Sequence, residues 1–326
     1  MFKKATTLVL ALSLILIVTG CASKPAEGPK VNFPEKPITL ICPWAAGGGT
    51  DAVARAIAKA AESRLGQTVT VVNQTGGGGA VGHGAGIAAK NDGYTVTMIT
   101  FELLSLPPQG LVPFTYEDYD LLMMVNMDPS ALTVRADAPW KSVDEFIAAA
   151  KEKPGDIKVG NSGPGAVWHI AGGMLEQLTD IKLTHVPYDG AAPAVAALVG
   201  GHIDAVTVSP AEVAGQVQAG NLKILGVMAD NSIDQFPDVP TFKEKGIDVS
   251  FGTWRGLAVP KDTPKEVKEI LMNAFKEAYE DQEFQSFAKK AGLGLNYMSA
   301  DEFKEFLDEQ SKGVEDVMKA LGMTKK

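Results

Sequence analysis

The sequence predicts an α/β protein made of two doubly wound sheets with flanking helices. Three observations carry that expectation. A short apolar strand over residues 38–42 runs into the loop Pro43-Trp44-Ala45-Ala46-Gly47-Gly48-Gly49, and a helix follows from Thr50. A strand over 68–73 repeats the plan, its glycine loop 76–82 opening a small-residue helix that reaches Lys90. Beyond residue 156 the alternation recurs: strand 157–160 and helix 166–178, strand 182–186 and helix 191–199, strand 203–208 and helix 211–219, then strand 222–228. Strands that alternate with helices in this way pair in parallel and bury the sheet between helical layers.

The remaining elements follow from periodicity. Val53, Ile57, Ala61 and Leu65 recur at spacings of four, giving an amphipathic helix that stops at Gly66, with Thr50 as its natural N-cap. Asp51 complements the start of that helix and pairs with Arg55 one turn on, or alternatively touches a ligand. A strand over 94–100 precedes an irregular, Pro-rich segment, and the extended run 121–134 is long enough to pass from one domain into another. Ser142 and Glu145 form a capping box for a helix to Lys151. A strand over 249–260 and three charged, amphipathic helices over 264–280, 283–291 and 300–321 end the chain, packed on the outside of the first domain.

Composition bounds the function. The 326 residues, 45% hydrophobic and 21% charged, suffice for two domains. A formal charge of −9 argues against nucleic acid as a partner, but not against a small anion held by backbone dipoles. At the N-terminus Lys3 and Lys4 precede an apolar run to Val18, and Val18-Thr19-Gly20-Cys21 has the form of a bacterial lipobox. Residues 1–20 then read as a lipoprotein signal peptide, Cys21 as the lipidated residue and 21–32 as a tether. The alternative is an ordinary secretory signal with a stray cysteine. Lipidation at Cys21 leaves Cys42 with no disulfide partner, as a buried, inert thiol in an apolar strand.

Catalytic chemistry is sparse. Gly77-x-Gly79-x-x-Gly82, followed twenty residues later by Glu102, meets the letter of a dinucleotide fingerprint, yet an exported protein meets little free dinucleotide. His83 occupies the lysine place of a phosphate loop, and Gly160-Asn161-Ser162 lacks the spacing of a hydrolase elbow. The four histidines form no metal-ligand pattern. The chain is therefore read as a binding protein without cofactor, metal or turnover. Ligands of open α/β sheets lie beyond the carboxyl ends of the strands, so the loops 43–50, 76–82, 161–166 and 188–192 would face one cleft. Their helix starts favour a carboxylate.

Five stretches, in order, are FPEKPITLICPWAAGGGTDAVAR, NQTGGGGAVGHGAGIAAKNDGYTV, GNSGPGAVWHIAGGML, HVPYDGAAPAVAALVGGHIDA and WRGLAVPKDTP. With them the chain resembles the substrate-binding proteins of the tripartite tricarboxylate transporter family, the Bug or TctC-like proteins, over 33–321. The resemblance implies a two-domain periplasmic-binding-protein fold, a type II-like Venus flytrap, with one domain over 33–130 and 235–326, the other over 131–234, and a hinge near 125–134 and 225–252. It implies a monomer, held to the outer face of the cell membrane by the lipid on Cys21, that captures a small organic acid and delivers it to a membrane permease. A ligand-sensing surface protein serving a signalling receptor, and a dinucleotide-binding enzyme, remain as alternatives.

Carried over by position, the ligand site takes in Trp44, Ala46, Gly47, Gly48, Gly49, Thr50 and Asp51 from the first loop and Gly79 from the second. From the opposite domain come Ser162, Gly163, Gly165, Trp168, His169, Tyr188, Asp189, Gly190 and Ala191. Glu102, Trp168 and Arg255 depart from the usual family pattern, as does Ala46, which stands where proline is common. Glu102 is either a carboxylate near the cleft, which would repel a second acid group, or a solvated loop charge. Arg255 either pairs with a ligand carboxylate or faces solvent. His169 is either a ligand contact or a structural imidazole. Gly49→Val is expected to block the ligand's approach to the backbone while leaving the fold intact.

Overall fold

The apolar run ITLIC forms β1 (Ile38–Cys42), which is almost wholly buried in the computed structural model. The structure describes residues 31–325, so the expected signal peptide, the Cys21 lipid site and most of the tether lie outside the described residues. The chain continues through α1 (Gly49–Leu65), β2 (Val69–Asn73), α2 (Ala80–Ile87), β3 (Thr95–Thr100), the single turn α3 (Glu102–Ser105) and the long β4 (Tyr119–Pro129). On α1 the residues spaced by four are buried, and Gly66 ends the helix in the left-handed region at φ 66°. The start of α1 differs from expectation. Gly48 is the N-cap, without a side-chain cap, and Thr50 lies in the first turn with its hydroxyl taken by Arg255.

Only Ser130 separates β4 from β5 (Ala131–Arg135), and the two strands belong to different sheets. The second series is α4 (Val143–Glu152), β6 (Lys158–Asn161), α5 (Val167–Thr179), β7 (Thr184–Pro187), α6 (Ala191–Val199), β8 (Ala205–Val206), α7 (Pro210–Gln218) and β9 (Leu222–Val227). Ser142 caps α4 by accepting the Glu145 N–H at 3.2 Å. Glu145, however, accepts from the Lys141 N–H, so the reciprocal half of the expected box is missing. The chain then returns to the first sheet as β10 (Gly252–Pro260) and closes with α8 (Lys265–Tyr279), α9 (Gln282–Ala291), β11 (Leu295–Ser299) and α10 (Ala300–Ala320). β11 has no counterpart in the sequence expectations.

The sheets run in the orders β11-β4-β10-β3-β1-β2 and β7-β6-β8-β5-β9. Both are mixed rather than purely parallel. β1 pairs in parallel with β2 and β3, and β6 with β7 and β8. Three strands run the other way: β11 is antiparallel to β4, and the two that arrive from the other sheet, β10 and β5, are antiparallel to β3 and β4 and to β8 and β9. A strand entering from the facing lobe comes from the opposite direction, which the local αβ rhythm does not encode.

Three hydrogen-bonded segments meet at the crossing. Ser130 donates its N–H to Phe251 O at 2.8 Å and accepts from Met228 N–H at 2.8 Å, while Phe251 N–H reaches Met228 O at 2.9 Å. Lobe one has its core between β1, α1 and α8, where Leu40, Ile57, Leu271 and Phe275 are buried together. Phe146, Val159, Leu175 and Phe242 form the corresponding core of lobe two. α10 packs on β4 and α3, and a Cβ at Gly256 of β10 would come within 2.3 Å of Phe303. Its tail reaches further than expected: Met323 and Leu321 lie against Gly173 of α5, so the C-terminus touches both lobes.

Candidate ligand cleft

Four helix starts converge on one small cavity between the lobes. Gly48, Gly49 and Thr50 begin α1 on lobe one. Facing them are Val167 and Trp168 of α5, Gly190 and Ala191 of α6, and Glu212 of α7. Trp44, Ala45, Glu102, Ser162, Thr253 and Arg255 complete the lining, and the cavity measures about 20 Å³. That volume suits a single water, so any larger solute requires the lobes to separate.

The expected residues fall into three groups. Trp44, Gly48, Gly49, Thr50, Glu102, Ser162, Trp168, Gly190, Ala191 and Arg255 line this cavity. Gly163, Tyr188 and Asp189 stand in a wider groove of about 730 Å³, with Gly77 and Gly78 across from them. Ala46, Gly47, Asp51, Gly79, Gly165 and His169 line neither.

The third group holds the loops in shape. Asp51 accepts Gly47 N–H at 2.9 Å, Asn73 Nδ2 at 2.8 Å and Arg55 Nε at 3.0 Å. Burial pushes its carboxyl up, but these donors outweigh burial and hold it below the usual carboxylate range. Ala46 and Gly47 are exposed on the tip of the loop that Asp51 closes. Gly79, at φ 93°, backs the Trp44 ring: a Cβ there would lie 3.2 Å from Trp44 and 3.3 Å from His83. His169 Nδ1 accepts the Gly165 N–H at 2.8 Å, and its ring meets His185 edge-on at 4.5 Å. Burial, with His185 beside it, lowers His169 to about 4, so it is a neutral acceptor tying the loop. At Gly165, with φ 66°, a Cβ would displace the Gln109 side-chain amide, which lies 2.0 Å from where it would be.

For two residues the sequence left a solvent-facing alternative open, and burial excludes it in both. Glu102 is not a solvated loop charge but fully buried. Its Oε2 accepts from Thr100 Oγ1 at 2.5 Å and its Oε1 from Val167 N–H at 3.0 Å, across the cleft. Burial raises its pKa above the usual carboxylate range despite those bonds. Arg255 does not face solvent. It is 1% exposed, donates Nη1 to Asp128 at 2.5 Å and Nε to Thr50 Oγ1 at 2.9 Å, and sets Nη2 3.6 Å from Glu212.

Glu212 and Asp128 were missed from sequence. Glu212 Oε2 accepts the Ser209 N–H at 3.0 Å, closing a capping box, while its Oε1 reaches across to Gly49 N–H at 3.2 Å. Ser209-x-x-Glu212 was visible as a helix start, but not as a contact between lobes. Burial raises Glu212 as well, outweighing the Arg255 guanidinium. A Cβ at Gly49 would lie 2.8 Å from Arg255 Nη2 and 2.9 Å from the Glu212 side chain. Gly49→Val therefore disturbs this buried cluster, and the expectation of an intact fold is withdrawn.

The glycines of the fingerprint serve packing. Gly76 to Gly79 all have positive φ, and a Cβ at Gly82 would come within 2.5 Å of Pro43. His83 is fully buried and neutral, lowered to about 4 by burial, and accepts Thr100 N–H at 3.2 Å. Burial pushes the Cys42 thiol up to about 11, as befits an inert core residue.

Residues 53–323 match the profile of the Tripartite tricarboxylate transporter family receptor. BugT of Bordetella pertussis is 30% identical over 283 residues, covering 85% of this chain and 86% of BugT. Among solved structures, a TctC solute binding protein from Polaromonas with no ligand shares 42% identity, covering 88% of this chain and 99% of its own, at a TM-score of 0.65. MatC of Rhodopseudomonas palustris with bound malate shares 25% identity, covering 87% and 99%, at a TM-score of 0.83.

Proposed function

Because the chain belongs to the tripartite tricarboxylate transporter receptor family, whose members are binding proteins and not enzymes, we propose that it captures a small organic acid outside the cytoplasm and delivers it to a membrane permease. The observation that carries this reading is the convergence of four helix starts from both lobes on one cavity. Helix starts present unpaired N–H groups and a positive dipole end, the arrangement that holds a carboxylate without a basic surface. The malate in MatC supports the ligand class.

Capture proceeds by closure. Lobes over 33–130 with 235–326, and over 131–234, swing about Ser130, Met228 and Phe251, admit the acid and shut upon it. The less identical MatC, with its ligand, superposes better than the more identical Polaromonas protein without one, which is the relation expected of lobes that rotate. Trp44, Thr50, Ser162 and Ala191 contact the solute from the two sides.

Cys21 carries the lipid that keeps the protein at the outer face of the membrane. Cys21→Ser should move it from the membrane fraction into the soluble extract. Isothermal titration against a panel of mono-, di- and tricarboxylates tests the central reading. One-to-one binding of at least one acid, recovered unchanged afterwards, is the expected result, and a panel without any binding overturns it.

A further inference from the structure

The two helix starts best placed for a ligand carboxylate are already engaged by the protein's own carboxylates. Glu212 of lobe two holds Gly49 N–H at the start of α1, and Glu102 of lobe one holds Val167 N–H at the start of α5. Among the described residues lining the cavity Arg255 is the one cation, and its Nη1 is committed to Asp128 at 2.5 Å. Asp128 and Glu212 thus flank a single guanidinium while Glu102 lines the same cavity, and a diacid would bring further negative charge into a site already short of positive charge. Burial raises both glutamates despite the nearby Arg255 guanidinium. Trp44 and Trp168 add aromatic walls, surfaces that attract a cation.

One place for an anion remains. Ser162 is 2% exposed, its Oγ has no hydrogen-bond partner, and it lines the same cavity as the start of α6, a helix without a side-chain cap. A buried hydroxyl without a partner is costly unless a ligand completes it.

We propose that the solute is a zwitterion, a short carboxylic acid that also carries a cationic nitrogen. Its carboxylate takes Ser162 Oγ and the start of α6, and its nitrogen takes Glu102 and Glu212 beside the tryptophan rings. This rests on the carboxylate-capture reading above and narrows its ligand class.

Calorimetry with matched pairs tests it on the full chain: succinate against 3-aminopropanoate, and glutarate against 4-aminobutyrate and its N-trimethyl derivative. The amino acids should bind at least tenfold tighter than the diacids of equal length. Glu102→Gln and, separately, Glu212→Gln should each reduce that preference at least tenfold, while Ser162→Ala weakens both classes alike; circular dichroism confirms that each variant is folded. Diacids that bind as tightly as their amino partners overturn the zwitterion and leave carboxylate capture standing. Preference unchanged in both folded glutamate variants also overturns it. Absence of binding by either class removes both readings.

Discussion

Arg255 joins the floor of the cleft to the first-lobe sheet, and removing it strands its partners. Arg255→Met would leave Asp128 and Glu212 buried without their guanidinium. Breaking one side of a buried pair typically costs about 3–5 kcal/mol, and urea denaturation should show a loss of that size. Glu102 and Glu212 each contribute a pH dependence above 4.5. Both folded values are raised above 4.5, so their stabilising contribution is full below that pH and is lost as pH rises through the folded values. Glu102→Gln should therefore raise the urea midpoint relative to wild type at pH 8, with the gap closing at pH 4; a gap that does not change with pH contradicts this. His83 acts in the opposite sense, its contribution full above 6.5 and lost as pH falls toward about 4. At this scale the sequence was half legible. Glu102 and Arg255 stood out as departures from a motif, but their partners did not. Asp128 and Glu212 meet Arg255 only through the fold, and residue spacing encodes which face is buried rather than which distant groups touch.

The helices and most strands were readable because each carries its own signal. The period of four along α1, the glycine after it and the Ser142 cap are local facts, and all three are present in the fold. What was misread depended on segments distant in the chain. Gly48 rather than Thr50 caps α1, with the Thr50 hydroxyl engaged by Arg255 of β10, and β10 runs against its neighbours because it returns from the second sheet. Gly49→Val tests this coupling at the start of α1. Forcing a branched side chain against Arg255 and Glu212 should destabilise the protein by about 1–3 kcal/mol, the usual range for overpacking, as well as remove binding. Unchanged stability in urea would mean that the cluster yields freely and that Gly49 serves the ligand alone.

At the scale of the molecule, two lobes joined at Ser130 close over a cavity of about 20 Å³, much smaller than any organic acid. The proposed capture therefore requires the lobes to part and shut, with Glu102 and Glu212 bridging the gap in the form described. The two-sheet plan was legible because the αβ rhythm appears twice along the chain, once on each side of the crossing strand. The shut geometry was not, since it depends on contacts between residues 65 and 163 positions apart. The most direct measurement is a crystal structure of the protein grown with an acid that binds it in solution. The expected result is solute density enclosed between the lobes, touching Trp44 and Thr50 on one side and Ser162 and Ala191 on the other. Density confined to the outer groove beside Tyr188 would contradict the account.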